Sequence, residues 1–258
     1  MTRLPSRRNF LMGLASGAGA FALSGCDRLA EDTGVDAVLR HTEKLTLASQ
    51  RVLVSRKALA REYAEADISP VFRANGTQMP DSTEYARLLE GEFKDWRLQV
   101  DGLVRRPGSL SLAELKRLPS RTQITRHDCV EGWSAIGKWE GVPLAYVLDA
   151  AGLKPGARYV VLHCADDLEK ALDGSGRYYE SIDLIDAYHP QTILAYGMNG
   201  ENLPVAHGAP LRLRVERQLG YKHAKYLMRI EVVDSYGALY GGKGGFWEDR
   251  GYEWYAGI

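Results

Sequence analysis

Hydrophobic positions along this chain change spacing several times, and each change marks an element. From Phe10 to Leu23 small apolar residues run without a charge, a stretch too short to span a bilayer comfortably. From Asp36 to about Ala66 the chain is rich in Ala, Leu, Arg, Lys and Glu and lacks Gly and Pro. That texture predicts one or two amphipathic helices, closed by Ser69-Pro70. Val71 to Met79 is polar, with Asn75-Gly76, and predicts a loop. After Gly91 the spacing shortens. Trp96 to Val100 alternates and stops at Asp101-Gly102, as a strand does. Ser111 with Glu114 three residues on is a capping-box pattern opening a short helix to Leu118. Gln123 to Cys129 predicts a strand entering a loop, and Pro143 to Ala151 a helix stopped by Gly152. Tyr159–His163, Ile193–Tyr196, Leu211–Val215 and Met228–Val233 complete the predicted strands. Strands outnumber helices after residue 90 without regular alternation, so the expected class is α+β with a mixed sheet and an N-terminal helical segment. The tail from Gly241 to Ile258 is dense in Gly and aromatics, and is expected to pack over a core or pocket.

Composition narrows this picture. The 258 residues are 45% hydrophobic, enough for one large domain or two small ones around a real core. Lys plus Arg equals Asp plus Glu at 33 each, so no bulk charge points to nucleic acid. Three cysteines, Cys26, Cys129 and Cys164, cannot build a disulfide framework. Ser6-Arg7-Arg8-Asn9-Phe10-Leu11 is a twin-arginine pattern ahead of the apolar run, and together they form an export signal over residues 1–25. Without those residues three arginines and no acid are lost, leaving a mildly negative chain. Leu23-Ser24-Gly25-Cys26 resembles a bacterial lipobox, and Asp27 resembles an inner-membrane retention signal. The expected location is therefore the periplasm, tethered by lipid at Cys26. Ordinary cleavage near Ala22, giving a freely soluble periplasmic protein, is the alternative. Residues 26–66 then form a tether and helical segment, and residues 67–258 the working domain.

Chemistry concentrates in two segments. Cys129 stands at the end of a predicted strand, in Arg126-His127-Asp128-Cys129-Val130-Glu131-Gly132-Trp133-Ser134. A lone cysteine there is usually a small buried hydrophobe. Arg126 and His127 beside it would favour a thiolate, a fitting ligand for a metal held mainly by sulfur. The second segment is His207-Gly208-Ala209-Pro210-Leu211-Arg212, followed by Gly220-Tyr221-Lys222-His223-Ala224-Lys225. A planar guanidinium, two lysines and a turn exposing backbone N–H groups suit a phosphate. Taken singly, each of these cations would be an ordinary solvated charge.

The Cys129–Ser134 segment, together with Trp139-Glu140-Gly141-Val142-Pro143-Leu144 and the second segment, resembles the sulfite oxidase superfamily over roughly residues 70 to 235. It is most similar to a bacterial branch that includes methionine-sulfoxide reductases. The resemblance implies a sulfite-oxidase-type molybdopterin-binding fold, with molybdenum held by a pterin dithiolene and the Cys129 thiolate. It further implies that the pterin, in its mononucleotide form, is held by His207, Arg212 and backbone groups of His223, Ala224 and Lys225, with Lys222 a weaker candidate. Phe72-Arg73-Ala74-Asn75-Gly76 resembles the segment that approaches the cofactor from the N-terminal side. Arg73 matches an arginine that faces the substrate oxyanion in sulfite-oxidising members, and Asn75 lies beside it; a loop arginine and a turn asparagine are the plainer reading. Cys164 falls at a family pterin contact, although a buried structural thiol is the simpler role. Glu131 is either an acid that relays protons beside the metal or a turn cap. Trp247, Tyr252 and Trp254 are either one wall of a substrate funnel or ordinary packing.

The implied chemistry is two-electron oxygen-atom transfer on a sulfite- or sulfoxide-type substrate. No Cys-x-x-Cys-His haem motif is present, so electrons are expected to pass to or from a cytochrome or haem membrane subunit. Arg73 leans toward sulfite oxidation. Ser134, where sulfite oxidases tend to carry arginine, leans toward sulfoxide reduction, and the sequence leaves the direction open. The rival class is a non-catalytic exported binding protein that kept the fold; its expected losses, at Cys129 or in the Arg212–Lys225 set, are not found.

Overall fold

A computed structural model describes residues 33–170 and 176–258. The expected export signal, residues 1–25, and Cys26 lie outside the described residues. The described residues fall into two units, one ending at Leu53 and the other Val54–Ile258. The first contains the 21-residue helix α1, Thr33–Leu53. The helical expectation over Asp36–Ala66 therefore holds only to Leu53. Beyond it, tertiary contacts take the backbone away from the helix. Gln191 clamps Ala60 through both its N–H and its carbonyl, at 2.8 and 3.0 Å. The Tyr63 amide donates to the Ile124 carbonyl at 2.9 Å, and Glu62 bridges to Thr125. Only the turn Glu65–Asp67 retains 3-10 geometry. Helix propensity is a weak prior, and here the edge of β3, offering the Ile124 carbonyl, overrides it.

Two five-stranded sheets build the second unit. The first runs β2 (Gly108–Ser111), β1 (Arg97–Gly102), β10 (Leu227–Val233), β5 (Tyr159–Asp167), β6 (Arg177–Asp183). Its β1–β10 pair is parallel and the others antiparallel, which makes it the mixed sheet expected. The other sheet runs β3 (Arg121–Asp128), β4 (Ser134–Pro143), β7 (Thr192–Met198), β8 (Glu201–Asn202), with β9 (Arg212–Val215) on β7, all antiparallel. Short helices α2 (Thr83–Glu90), α3 (Leu112–Leu115), α4 (Leu144–Ala151) and α5 (Leu184–Ala187) fill the connections. The main core joins Trp96, Leu98, Leu162, Leu194, Leu213 and Ile230, all essentially inaccessible to solvent. Burying one such side chain contributes about 1.5–3 kcal/mol.

Local signals set several boundaries. Ser111 caps α3, with Glu114 returning a 2.8 Å bond to the Ser111 amide. Gly152 ends α4 at φ +69°. Strands β2, β4, β6 and β8 and helices α2 and α5 are not expected from the sequence. β4 is masked by its glycines, yet one of them is what lets it pair. A Cβ on Gly141 would lie 2.3 Å from the Leu194 carbonyl oxygen, so β4 and β7 approach closely only because it is absent.

Candidate active site

The β3–β4 hairpin ends in a tight loop that carries Cys129. The Cys129 amide donates to the Trp133 carbonyl at 2.9 Å, and the Gly132 amide to the Cys129 carbonyl at 3.1 Å. Gly132 takes φ +83°, a conformation an L side chain rarely adopts. Cys129 is 9% exposed. Burial pushes its thiol up from the usual range, while the amides of Glu131 and Val130 donate to the sulfur and pull it back. Those two donors, rather than Arg126 and His127, are what favours a thiolate. Arg126 is paired with Asp128, and His127 is buried and held neutral by burial and Arg214. Glu131 accepts from the Trp133 indole at 3.0 Å.

A cavity of about 390 Å³ opens beside the hairpin. Cys129, Glu131, Asn75, His223 and Lys225 line it, so five of the expected site residues meet there. Trp247 and Tyr252, stacked at 5.3 Å, form part of its wall together with Phe246 and Leu168. Trp254 does not line it and instead donates to Ser181. Of the remaining candidates, Arg73 is exposed and outside the lining. Cys164 is fully buried with its thiol pushed far up by burial. Ala224 sits in the core, and its carbonyl accepts from the Leu213 amide. Sequence reasoning missed Asp166, Thr77, Tyr178 and Tyr221. The period-two alternation of β5, which puts Asp166 on the face of Cys164, was the available signal.

The cations around the cavity fall into two kinds. Arg214 is locked to Glu216 at 2.6 Å with both side chains inaccessible, and Lys222 is locked to Glu180 and Glu248. These are structural ion pairs. Arg212 and Lys225 have no carboxylate bonded to them among the described residues. Arg212, 2% exposed, donates to the carbonyls of His207 and His223 at 3.0 and 3.2 Å. Burial and the neighbouring Arg214 bring it down to about 9. Lys225 donates to the carbonyls of Asn75, Thr77 and Ala206, and burial and Arg212 bring it down to about 7. His207 falls to about 4 from burial and the same two cations. Arg212 Nε and His223 Nδ1 are enclosed without a partner. Two buried cations bonded to no carboxylate, with the Arg212 Nε donor left unpartnered, fit a bound anion. The turn Gly220–Lys222 presses on the hairpin from this side. A Cβ on Gly220 would lie 2.5 Å from His127 Nε2, so glycine alone permits that approach.

A buried thiol with amides aimed at it, beside a cavity and two cations that no carboxylate pairs, fits an anionic cofactor. The chain belongs to the oxidoreductase molybdopterin binding domain family, which matches residues 86–238, and is thus a molybdopterin-dependent oxidoreductase of the sulfite oxidase superfamily. Among its relatives is a candidate protein-methionine-sulfoxide reductase subunit, YedZ1, of Azospira oryzae, 39% identical over 98% of this chain and 88% of that protein. The protein-methionine-sulfoxide reductase catalytic subunit MsrP of Xanthomonas axonopodis pv. citri is 38% identical over 62% of this chain. The match spans about half of MsrP, 51% of its length. A solved structure, the sulfane dehydrogenase SoxCD of Paracoccus pantotrophus, is similar at 26% identity over 55% of this chain and 39% of that chain, with a TM-score of 0.49.

Proposed function

We propose that this protein reduces sulfoxides of the methionine-sulfoxide type. The observation that carries this reading is the charge of the cavity. Among the described residues its lining holds no arginine, one lysine already bonded to three carbonyls, and the carboxyls of Glu131, Asp166 and Glu169. An anionic substrate such as sulfite would find no arginine there to receive its oxygens. A neutral sulfoxide with an apolar chain suits the wall of Trp247, Tyr252, Phe246 and Leu168. Two relatives named as protein-methionine-sulfoxide reductases support the same choice.

When bound, the molybdenum cofactor supplies two-electron oxygen-atom transfer. Cys129 would be its protein ligand, with the Val130 and Glu131 amides steadying the thiolate. Arg212 and Lys225 would hold the anionic groups of the pterin, in its mononucleotide form, and His207 and His223 stay neutral beside them. The aromatic wall seats the substrate and keeps water out. The electrons come from an external haem protein. Export by the twin-arginine signal and a lipid at Cys26 would place the enzyme beside such a partner at the membrane. The decisive experiment compares turnover of N-acetylmethionine sulfoxide, driven by a reduced viologen dye, with oxidation of sulfite coupled to ferricyanide. Sulfoxide reduction is expected to dominate in kcat/KM. Faster oxidation of sulfite would overturn the reading.

A further inference from the structure

Asp166 is an acid of β5 to which the sequence reading gave no role. It ends the inward-facing row of β5, is 3% exposed, and lines the same cavity as Cys129. Its Oδ1 is enclosed and has no hydrogen-bond partner. The Thr77 hydroxyl donates to the carboxyl, and the Lys225 ammonium lies near enough to favour its charged form. A buried carboxylate with one unsatisfied oxygen is costly, so this environment shifts the carboxyl toward its neutral acid. Once the proton has gone, the Thr77 hydroxyl still donates to the carboxylate and the Lys225 charge lies nearby. The other titratable groups around it are Cys164 and Asp167 on β5, Tyr85 on α2, Tyr178 on β6, and Tyr226 after the Gly220 turn. The three tyrosines and Cys164 are all pushed up and stay neutral near pH 7.

We infer that Asp166 is the proton donor of the cavity, delivering a proton to the oxygen that a sulfoxide substrate loses. The inference rests on the sulfoxide-reducing reading above. In the overall step the S–O bond breaks, sulfur is reduced by two electrons from the haem-class donor, and two O–H bonds form as the oxygen leaves as water. One proton comes from Asp166 and the other from solvent, which then reprotonates the carboxylate. Burial supports the role by raising the carboxyl to about 6, against the opposing pull of Thr77 and Lys225. A group poised near the working pH is the more efficient general acid.

The test uses cofactor-loaded enzyme with N-acetylmethionine sulfoxide and a reduced viologen dye. Molybdenum and pterin content are measured for every variant, and the carboxyl band is titrated by infrared difference spectroscopy. In the wild type kcat/KM should fall about tenfold per pH unit above the Asp166 titration. Asp166→Asn should keep its cofactor, lose that pH dependence and the titrating carboxyl band, and fall by roughly 10²-fold or more in kcat. Asp166→Glu should restore part of the rate. Thr77→Val removes a donor to the carboxylate, so it should move the same limb to higher pH even if Asp166→Asn fails to fold. Loss of pterin from Asp166→Asn would make Asp166 a cofactor contact and overturn the inference, as would an unchanged pH profile in Asp166→Asn or Thr77→Val. A wild type that turns over no sulfoxide overturns the functional reading and this inference together. An active wild type with an indifferent Asp166→Asn overturns this inference alone.

Discussion

Lys225 offers a measurement of the cradle without the cofactor. Its ammonium is buried beside Arg212 and titrates at about 7 in the folded chain, whereas an unfolded lysine titrates near 10.4. Between those values the unfolded state binds more protons than the folded one, so stability rises with pH across that window. Integrated from about pH 7 to about pH 8.5, the gain is roughly 1.6 kcal/mol. His207, held at about 4, is neutral throughout this range, and Arg212, at about 9, begins to add only at its upper end. The thiols of Cys129 and Cys164 are pushed up, so ionisation of the unfolded thiols near 8.5 opposes the trend by about 0.4 kcal/mol each at the top of the window, equally in wild type and variant. Urea unfolding of cofactor-free wild type and Lys225→Met across this range reads the effect. The bonds to Asn75, Thr77 and Ala206 are lost at every pH, so the difference in slope between wild type and variant reads the coupled titration of Lys225 and its neighbour Asp166. Wild type should gain stability with pH, Lys225→Met should not, and the loaded enzyme should show a flatter profile because a bound anion keeps the ammonium charged. Parallel wild-type and variant curves would refute the account of an uncompensated cation.

The same geometry sets the other expected outcomes. Cys129→Ser should retain pterin yet lose sulfoxide turnover, and the wild type should carry about one molybdenum per chain by elemental analysis; equal activity in the variant would remove Cys129 from the centre. Arg212→Ala should lower pterin content, because losing one partner of a buried charge pair costs on the order of 2–5 kcal/mol; unchanged content would refute the placement of the anion. Gly220→Ala should destabilise the protein by about 1–3 kcal/mol in denaturant titration, since the new methyl group drives into His127; a neutral result would mean the turn shifts freely. Cys26→Ser should release the protein into the soluble periplasmic fraction, with mass spectrometry of the mature N-terminus as the check; a wild type already soluble and without lipid would leave only the export expectation standing.

Sequence by itself determined most of the strands, because a period of two with Gly or Asp-Gly stops needs only neighbours a few residues away. It also determined the cap at Ser111, the stop at Gly152, and the two segments that meet at the site, since loop chemistry is written locally in Cys129–Ser134 and His207–Lys225. Burial and pairing it could not determine. Arg212, Arg214, Lys222 and Lys225 look alike in one dimension. Only the folded chain brings Glu216, Glu180 and Glu248 to two of them and bare carbonyls to the other two. Arg73 matched a motif but lies outside the cavity lining, while Asp166 matched none and belongs to it. Residues 54–66 carried a helical composition and became an edge partner of β3. In each case the deciding interaction joins positions far apart in sequence, and a charge or a hydrogen bond has its meaning only once its partner and its exposure to water are fixed by the tertiary structure.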